Sequence, residues 1–379
     1  MRRGTRRSLV HLTLFGCILF LIIYINRPQS NKKKAFAWTR IRYKTTAAKL
    51  PEARGICPGL EKSTKPALIV SRVAADGDPS WLDALSDLYH LCVYTVDAPV
   101  NSKSKYLQVP ENRGHESMAY LTFLIDNYDH IPKAGAVFVH GNRWAWHNDA
   151  PDYDNAALLA ALNVPAAVAP WGYHNMRCDW SVSTCPPSTA GQRSIEVSLQ
   201  AALEPWNARA VSDKALPRAL AALFGGYDHL SAKNGGGFLL GRTDAVRSQC
   251  CAQFVVSRES VWQHSREEYV ALRQWLLDGS SGNGVDKHSK NPRAAPASDL
   301  TAGRILSYLW HILFIKHDSY DEVDLDRLNS QACPRADECY CRLYGRCNLE
   351  RCKGPGSCLG QYRLPPDFKL PDDWAATHS

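Results

Sequence analysis

Cys333, Cys339, Cys341, Cys347, Cys352 and Cys358 fall within 26 residues near the end of the chain, spaced C-x5-C-x-C-x5-C-x4-C-x5-C. Zinc modules favour C-x2–4-C pairs and often add histidines, and no histidine lies between Cys333 and Cys358. Three disulfides stapling a loop-rich tail over 333–360 are therefore expected, among about 15 possible connectivities. Of the 13 cysteines, Cys17 lies in an apolar run, which leaves an even dozen downstream. Such a density points to an oxidising compartment. Structural pairing is also expected for Cys250-Cys251, and a local loop disulfide for Cys178 with Cys185.

The apolar run covers residues 9–25, mostly Leu, Ile and Phe, with His11 its one strongly polar member. At the helical rise it spans about 25 Å, enough for a thin bilayer. Asn26-Arg27-Pro28 follows it rather than the small residues of a signal-peptidase site, so an uncleaved signal anchor is expected. The net charge of +8 is concentrated around this segment: residues 1–54 carry 13 Lys/Arg and one acid, and the remainder is net −4. That balance argues against a basic face on the folded body, and nucleic acid is not expected as a partner. The bases read as charges lying at lipid headgroups. Together these features predict a type II protein, with a cytoplasmic tail at 1–8 and its body in the ER or Golgi lumen or at the cell surface. No Asn-X-Ser/Thr sequon occurs, so N-glycans are not expected.

Residues 26–66 are basic, then Pro/Gly-punctuated, and read as a stem. From residue 67 the texture is globular. ALIVSRV (67–73), LCVYTV (91–96) and AVFVH (136–140) suit buried strands, and a helix is expected over 115–128. Strands alternating with helices predict a largely parallel sheet in an α/β domain over 67–332. Ser265 and Glu268 form a capping box that opens another helix. Residues 279–298 have loop composition and read as an insertion, a strongly apolar helix is expected over 301–315, and 361–379 is a C-terminal extension.

Open parallel sheets place ligands beyond the carboxyl ends of their strands, which directs attention to the segment after His140. There Asp152-Tyr153-Asp154 is a D-x-D pair suited to Mg²⁺ or Mn²⁺ on a diphosphate, with helix capping the alternative. Arg143 is a candidate phosphate partner, and Trp144 and Trp146 are candidates for stacking on a sugar or base. Arg113, His115 and Glu116 precede a helix start, which binds anions or is simply capped. Arg304, Ser307 and His311, at i, i+3 and i+7, would share one face of the 301–315 helix, with His311 a candidate acid or base. His140, His147 and Asp149 are a further set, of metal-hydrolase type.

VPENRGHESMAYLTFLIDNYDHIP, VFVHGNRWAWHNDAPDYD, GYHNMRCDW, CCAQFVVSRE, GRILSYLWHILF and CYCRLYGRCNLE resemble an uncharacterised fungal family of membrane-anchored proteins over about residues 67–352. That family bears a domain-of-unknown-function label and implies no activity. Its helix usually carries Glu where this chain has Ser307. A looser resemblance is to GT-A-type glycosyltransferases, in the order of strands, the polar loop after 136–140 and the FVVSRE strand with its Tyr/Trp-bearing helix. It implies a GT-A-like lumenal domain using a nucleotide sugar, a divalent cation and a glycan or protein acceptor. Asp152 and Asp154 would then hold the metal, Arg113 or Arg143 the phosphates, and Trp144 or Trp146 the sugar. The other classes to be weighed are a non-catalytic, disulfide-stapled binding module and the hydrolase.

Overall fold

The computed structural model describes residues 3–25, 35–36, 38–44, 52–101, 103–149, 153–225, 240–241, 244–280, 293–317, 323–349, 352 and 354–358. Asp152, the middle of the 279–298 segment and the 361–379 extension lie outside them. Arg3–Ile25 forms one helix, and its stretch Arg6–Tyr24 is long and apolar enough to cross a membrane, with none of it buried against protein.

The body is built on one six-stranded sheet. Its strands are β1 (Ala67–Arg72), β2 (His90–Thr95), β3 (Leu107–Gln108), β4 (Ala136–His140), β5 (Tyr173–Asn175) and β6 (Phe254–Val256). Their order across the sheet is β3-β2-β1-β4-β6-β5. The first four run parallel, and β6 is antiparallel to both neighbours. β1 and β4 are continuous apolar runs because they lie centrally and are covered on both faces.

Alternation along each strand divides the core into two layers. Ala67, Ile69, Ala136, Phe138, Phe254 and Val256 face α1 (Glu116–Asp126), α7 (Arg266–Asp278), α8 (Asp299–Ser307) and α9 (Trp310–Phe314). Leu68, Val70, Val137, Val139 and Val255 face α2 (Asn155–Ala161), α3 (Val164–Val168) and α11 (Ala336–Tyr344). The remaining helices are α4 (Ile195–Leu203), α5 (Ala208–Phe224), α6 (Arg258–Val261) and α10 (Leu325–Ala332). The Ser265 box forms as expected: Ser265 Oγ accepts from Glu268 N, and Glu268 Oε2 accepts from Ser265 N at 2.9 Å. Glu268 also anchors the stem, because its Oε1 accepts from Ile41 N at 2.7 Å next to the buried Trp38.

Three expectations are corrected: the Cys178–Cys185 pairing, the three disulfides within the tail, and the single 301–315 helix. Cys178 and Cys185 do not pair with each other; they bridge to Cys339 and Cys333. The cause is α11, whose core face (Ala336, Cys339, Tyr340, Leu343) docks on the sheet and carries Cys339 inward. Within the tail, only Cys341–Cys347 and Cys352–Cys358 are local. Cys57–Cys92 ties the stem to β2, and Cys250–Cys251 is a bond between neighbours. The expected 301–315 helix is also two helices. The interruption lies at Tyr308 and Leu309, whose N–H groups bond three residues back to Ile305 O and Leu306 O, a tighter turn than the α-helix; the Tyr308 hydroxyl donates to Asp213 at 2.7 Å and Ser307 Oγ to Arg304 O.

Candidate functional site

Strand order reverses at β1: β2 and β3 extend to one side, β4 to the other. The carboxyl ends of β1 and β4 meet there, with Ser71 in register with His140 and Gly141 N bonded to Ser71 O at 2.7 Å. Gly141 permits this closure, since a Cβ would lie 2.3 Å from that of Arg72. A polar crevice of about 340 Å³ opens at this point, between the turns after β1 and β4 and the start of α1. Its size falls in the range of small-ligand sites.

From the β1 side come Arg72 and Asp76. The Asp76 carboxylate accepts from Val73 N at 2.8 Å. Burial raises its pKa above the ordinary carboxylate value, with the Val73 bond, His140 and Arg72 pulling the other way. Arg72 lies over the Tyr106 ring at 4.9 Å and donates from Nη2 to Gly77 O, and its buried Nε has no hydrogen-bond partner among the described residues.

From the β4 side come His140, Asn142 and His147. His140 stacks on His147 at 4.9 Å, and the Trp146 ring lies 4.0 Å from that of His147. The Nε2 of His140 lies 2.7 Å from Cys251 O, so the Cys250–Cys251 turn fixes its ring. Asn148 and Gln253 brace the loop: Gln253 Nε2 donates to Asn148 Oδ1 at 2.9 Å, and Asn148 Nδ2 to Arg143 O and Tyr153 O.

The third wall is the start of α1, where His115 and Glu116 line the crevice. The anion at this helix start is supplied by the chain itself. Asp299 Oδ1 accepts from Gly114 N and from Arg113 Nη1 at 3.2 Å, and Oδ2 lies 3.6 Å from His115 Nε2. Arg113 is buried, and its remaining donors go to Pro296 O, Ala297 O and Leu276 O. It thus clips the chain before α8 onto α1.

Of the residues singled out in the sequence, His115, Glu116, His140 and His147 converge on the crevice. Asp154 caps α2 through Ala156 N, and both its oxygens take hydrogen bonds from Arg143 at 2.9 Å. Arg143 also covers the Trp144 ring at 4.8 Å. Asp149 is buried, accepting from Cys178 N and Tyr340 OH. His311 is buried in the core, and its ring nitrogens have no hydrogen-bond partner among the described residues. Burial, then the charge of His317, lowers its pKa to about 3. Sequence reasoning missed Arg72, Asp76 and Asp299. The strand-end rule applied to β1 as well as to β4 would have found the first two.

Among the described residues, Cys57, His90 and Cys92 are the one group with three potential ligand atoms within 4.8 Å of one another, and its sulfurs are joined in a disulfide. A family model described as a protein of unknown function (DUF3431) matches residues 68–342, from β1 into α11. The chain belongs to that family. No curated protein and no solved structure matches it. The DUF3431 match takes in all three walls of the crevice and the two disulfides that tie α11 and its approach to the body.

Proposed function

We propose that the protein is a membrane-anchored, glycosyltransferase-like protein of the secretory pathway, with its body in the lumen and a nucleotide-sugar donor bound in the β1/β4 crevice. The observation that carries this reading is the coincidence of the polar crevice with the reversal of strand order, where open α/β sheets take up nucleotides. Disulfides and the apolar Arg3–Ile25 helix favour the compartment and the anchor.

Arg72 takes the phosphate role first expected of Arg113 or Arg143, because it lines the crevice and they do not. Carboxylates outnumber that guanidinium: Asp76, Glu116 and Asp299 face the same space. A diphosphate entering there calls for a cation. Mg²⁺-type sites commonly use one or two carboxylates plus substrate phosphates, and Asp76 is suited to be one of them. The bound ion would offset charge on the departing diphosphate. His140 and His147 line the crevice, and a sugar or base could pack against their rings. A glycan or protein acceptor would approach the open side.

The test is thermal stabilisation of the full chain in detergent by UDP- and GDP-sugars, with and without Mn²⁺. An upward shift that needs both nucleotide and metal supports the reading. A flat panel from folded protein contradicts it and transfers the crevice to a non-catalytic binding module, a reading that the structural employment of Arg113 and Asp154 favours.

A further inference from the structure

Cys250–Cys251 joins chain neighbours, so it ties no two parts of the fold together. A bond of that kind takes little entropy from the unfolded chain, unlike the loops of 161 and 148 residues closed by Cys178–Cys339 and Cys185–Cys333. What it holds is the backbone. Cys251 and the buried Ala252 stand at φ 84° and 47°, two consecutive residues in the left-handed region that glycine favours and neither of them glycine. The N–Cα bond of Cys251 is part of the small ring that the disulfide closes, so φ there cannot turn while the sulfurs are joined.

This turn supports one wall of the crevice. Cys251 O lies 2.7 Å from His140 Nε2, and Cys250 O accepts from Asn175 Nδ2 at 3.2 Å. Gln253, two residues on, accepts from His140 N and Asn155 Nδ2 and donates to Asn148 Oδ1. A carbonyl can only accept, so Nε2 of His140 carries the proton and the ring follows the direction of the Cys251 carbonyl. That direction is set by ψ of Cys251 and φ of Ala252. His140 stands near enough to Asp76 for its charge to offset part of the burial that raises that carboxyl's pKa. Cys250 and Cys251 are both half-buried and reachable from solvent, whereas both partners of Cys57–Cys92 and of Cys178–Cys339 are buried.

We propose that Cys250–Cys251 is a thiol–disulfide switch that sets the position of His140 and with it the wall of the crevice. The co-reactant is a dithiol. One of its sulfurs attacks as thiolate, the bond between Cys250 and Cys251 breaks, a mixed disulfide forms, and the released cysteine sulfur takes up a proton. The second thiol of the reductant then displaces the mixed disulfide. In all, two electrons and two protons pass to Cys250 and Cys251, and the dithiol leaves as its own disulfide. With the ring open, Cys251 and Ala252 relax out of the left-handed region and the Cys251 carbonyl turns away from His140. The closed form prevails in an oxidising compartment, and reduction loosens the wall. The switch is independent of what the crevice binds.

The experiment titrates the full chain in detergent with dithiothreitol. At each step hydrogen exchange is measured, and the thiols formed are alkylated and located by mass spectrometry. The pair should open before Cys57–Cys92 and Cys178–Cys339. As it opens, the amides of Gly141, Ala145 and Asn148, all bonded in the closed wall, should exchange about fivefold faster, the effect of losing one ordinary hydrogen bond. Reoxidation should restore the slow rate. Cys250→Ser with Cys251→Ser should show the fast rate from the start and no response to the dithiol; if that variant does not fold, the titration of the wild type decides alone. Unchanged exchange at these amides with the pair open overturns the proposal. So does a pair that stays closed until Cys57–Cys92 and Cys178–Cys339 have opened. A response to dithiol that persists in the double variant belongs to another disulfide and overturns it too.

Discussion

Arg143 and Asp154 meet in a two-pronged pair, Nε to Oδ1 and Nη2 to Oδ2, each at 2.9 Å, while the same Asp154 Oδ1 accepts from Ala156 N at 3.0 Å. The loop between β4 and α2 is closed by this pair. Asp154→Ala should therefore lower stability by about 1–2 kcal/mol, mostly the lost cap, since the Arg143 side chain is 40% exposed and its ion pair is screened. Asp154→Asn keeps the cap and should cost less. Denaturant melts decide it. An Asp154→Ala protein of unchanged stability that had lost metal-dependent nucleotide binding would return the residue to a ligand role.

Asp76 carries a carboxylate whose pKa is raised, chiefly by burial. The folded protein thus binds its proton more tightly than the unfolded chain does. The destabilisation sets in as pH rises from about 3.8 through the folded pKa and is full above it. Asp76→Asn should raise the melting temperature of the ligand-free protein at pH 7, with the advantage disappearing below about pH 4. The same variant should lose the cation-dependent part of any ligand-induced shift. An Asp76→Asn protein with the same melting temperature and the same cation effect as wild type would remove Asp76 from the site.

His311 and His174 are buried, and burial lowers their pKa values to about 3 and about 4. Both take up protons more readily when unfolded, so the stability present above the unfolded value of 6.5 is lost as pH falls toward the folded values. At pH 5 each should cost roughly 2 kcal/mol relative to pH 8. His311→Leu should flatten that loss between pH 7 and 5 and leave crevice binding intact. A loss of ligand binding at unchanged stability would instead give His311 a direct role.

Cys178–Cys339 and Cys185–Cys333 close loops of 161 and 148 residues. Replacing Cys178 and Cys339 together by Ser should cost about 2–5 kcal/mol and loosen α11 from the sheet. Hydrogen exchange in β4 and α2 would report it. If exchange there were unchanged, the tail would be a separate module.

The α/β class and the central strands were legible because ALIVSR and AVFVH are runs that only a doubly covered strand needs, and because the Ser265–Glu268 box is local chemistry. Features set by contacts between distant parts of the chain were not. The 301–315 helix is interrupted at Tyr308, whose hydroxyl reaches Asp213, 95 residues away. Cys178 and Cys185 find their partners only once α11 has docked. At the site, the loop after His140 was legible from the strand-end rule. Its opposite lip, Arg72 and Asp76, became adjacent only through the placement of β1 beside β4. Arg113 looked like an anion ligand because the carboxylate it holds, Asp299, lies 186 residues downstream.

The crevice as the ligand site is tested most directly by hydrogen exchange on the full chain with saturating UDP-sugar or GDP-sugar and Mn²⁺. Protection confined to 71–77, 114–118 and 140–147 is the expected footprint. Exchange unchanged in those three segments, or protection elsewhere in the body, would contradict it.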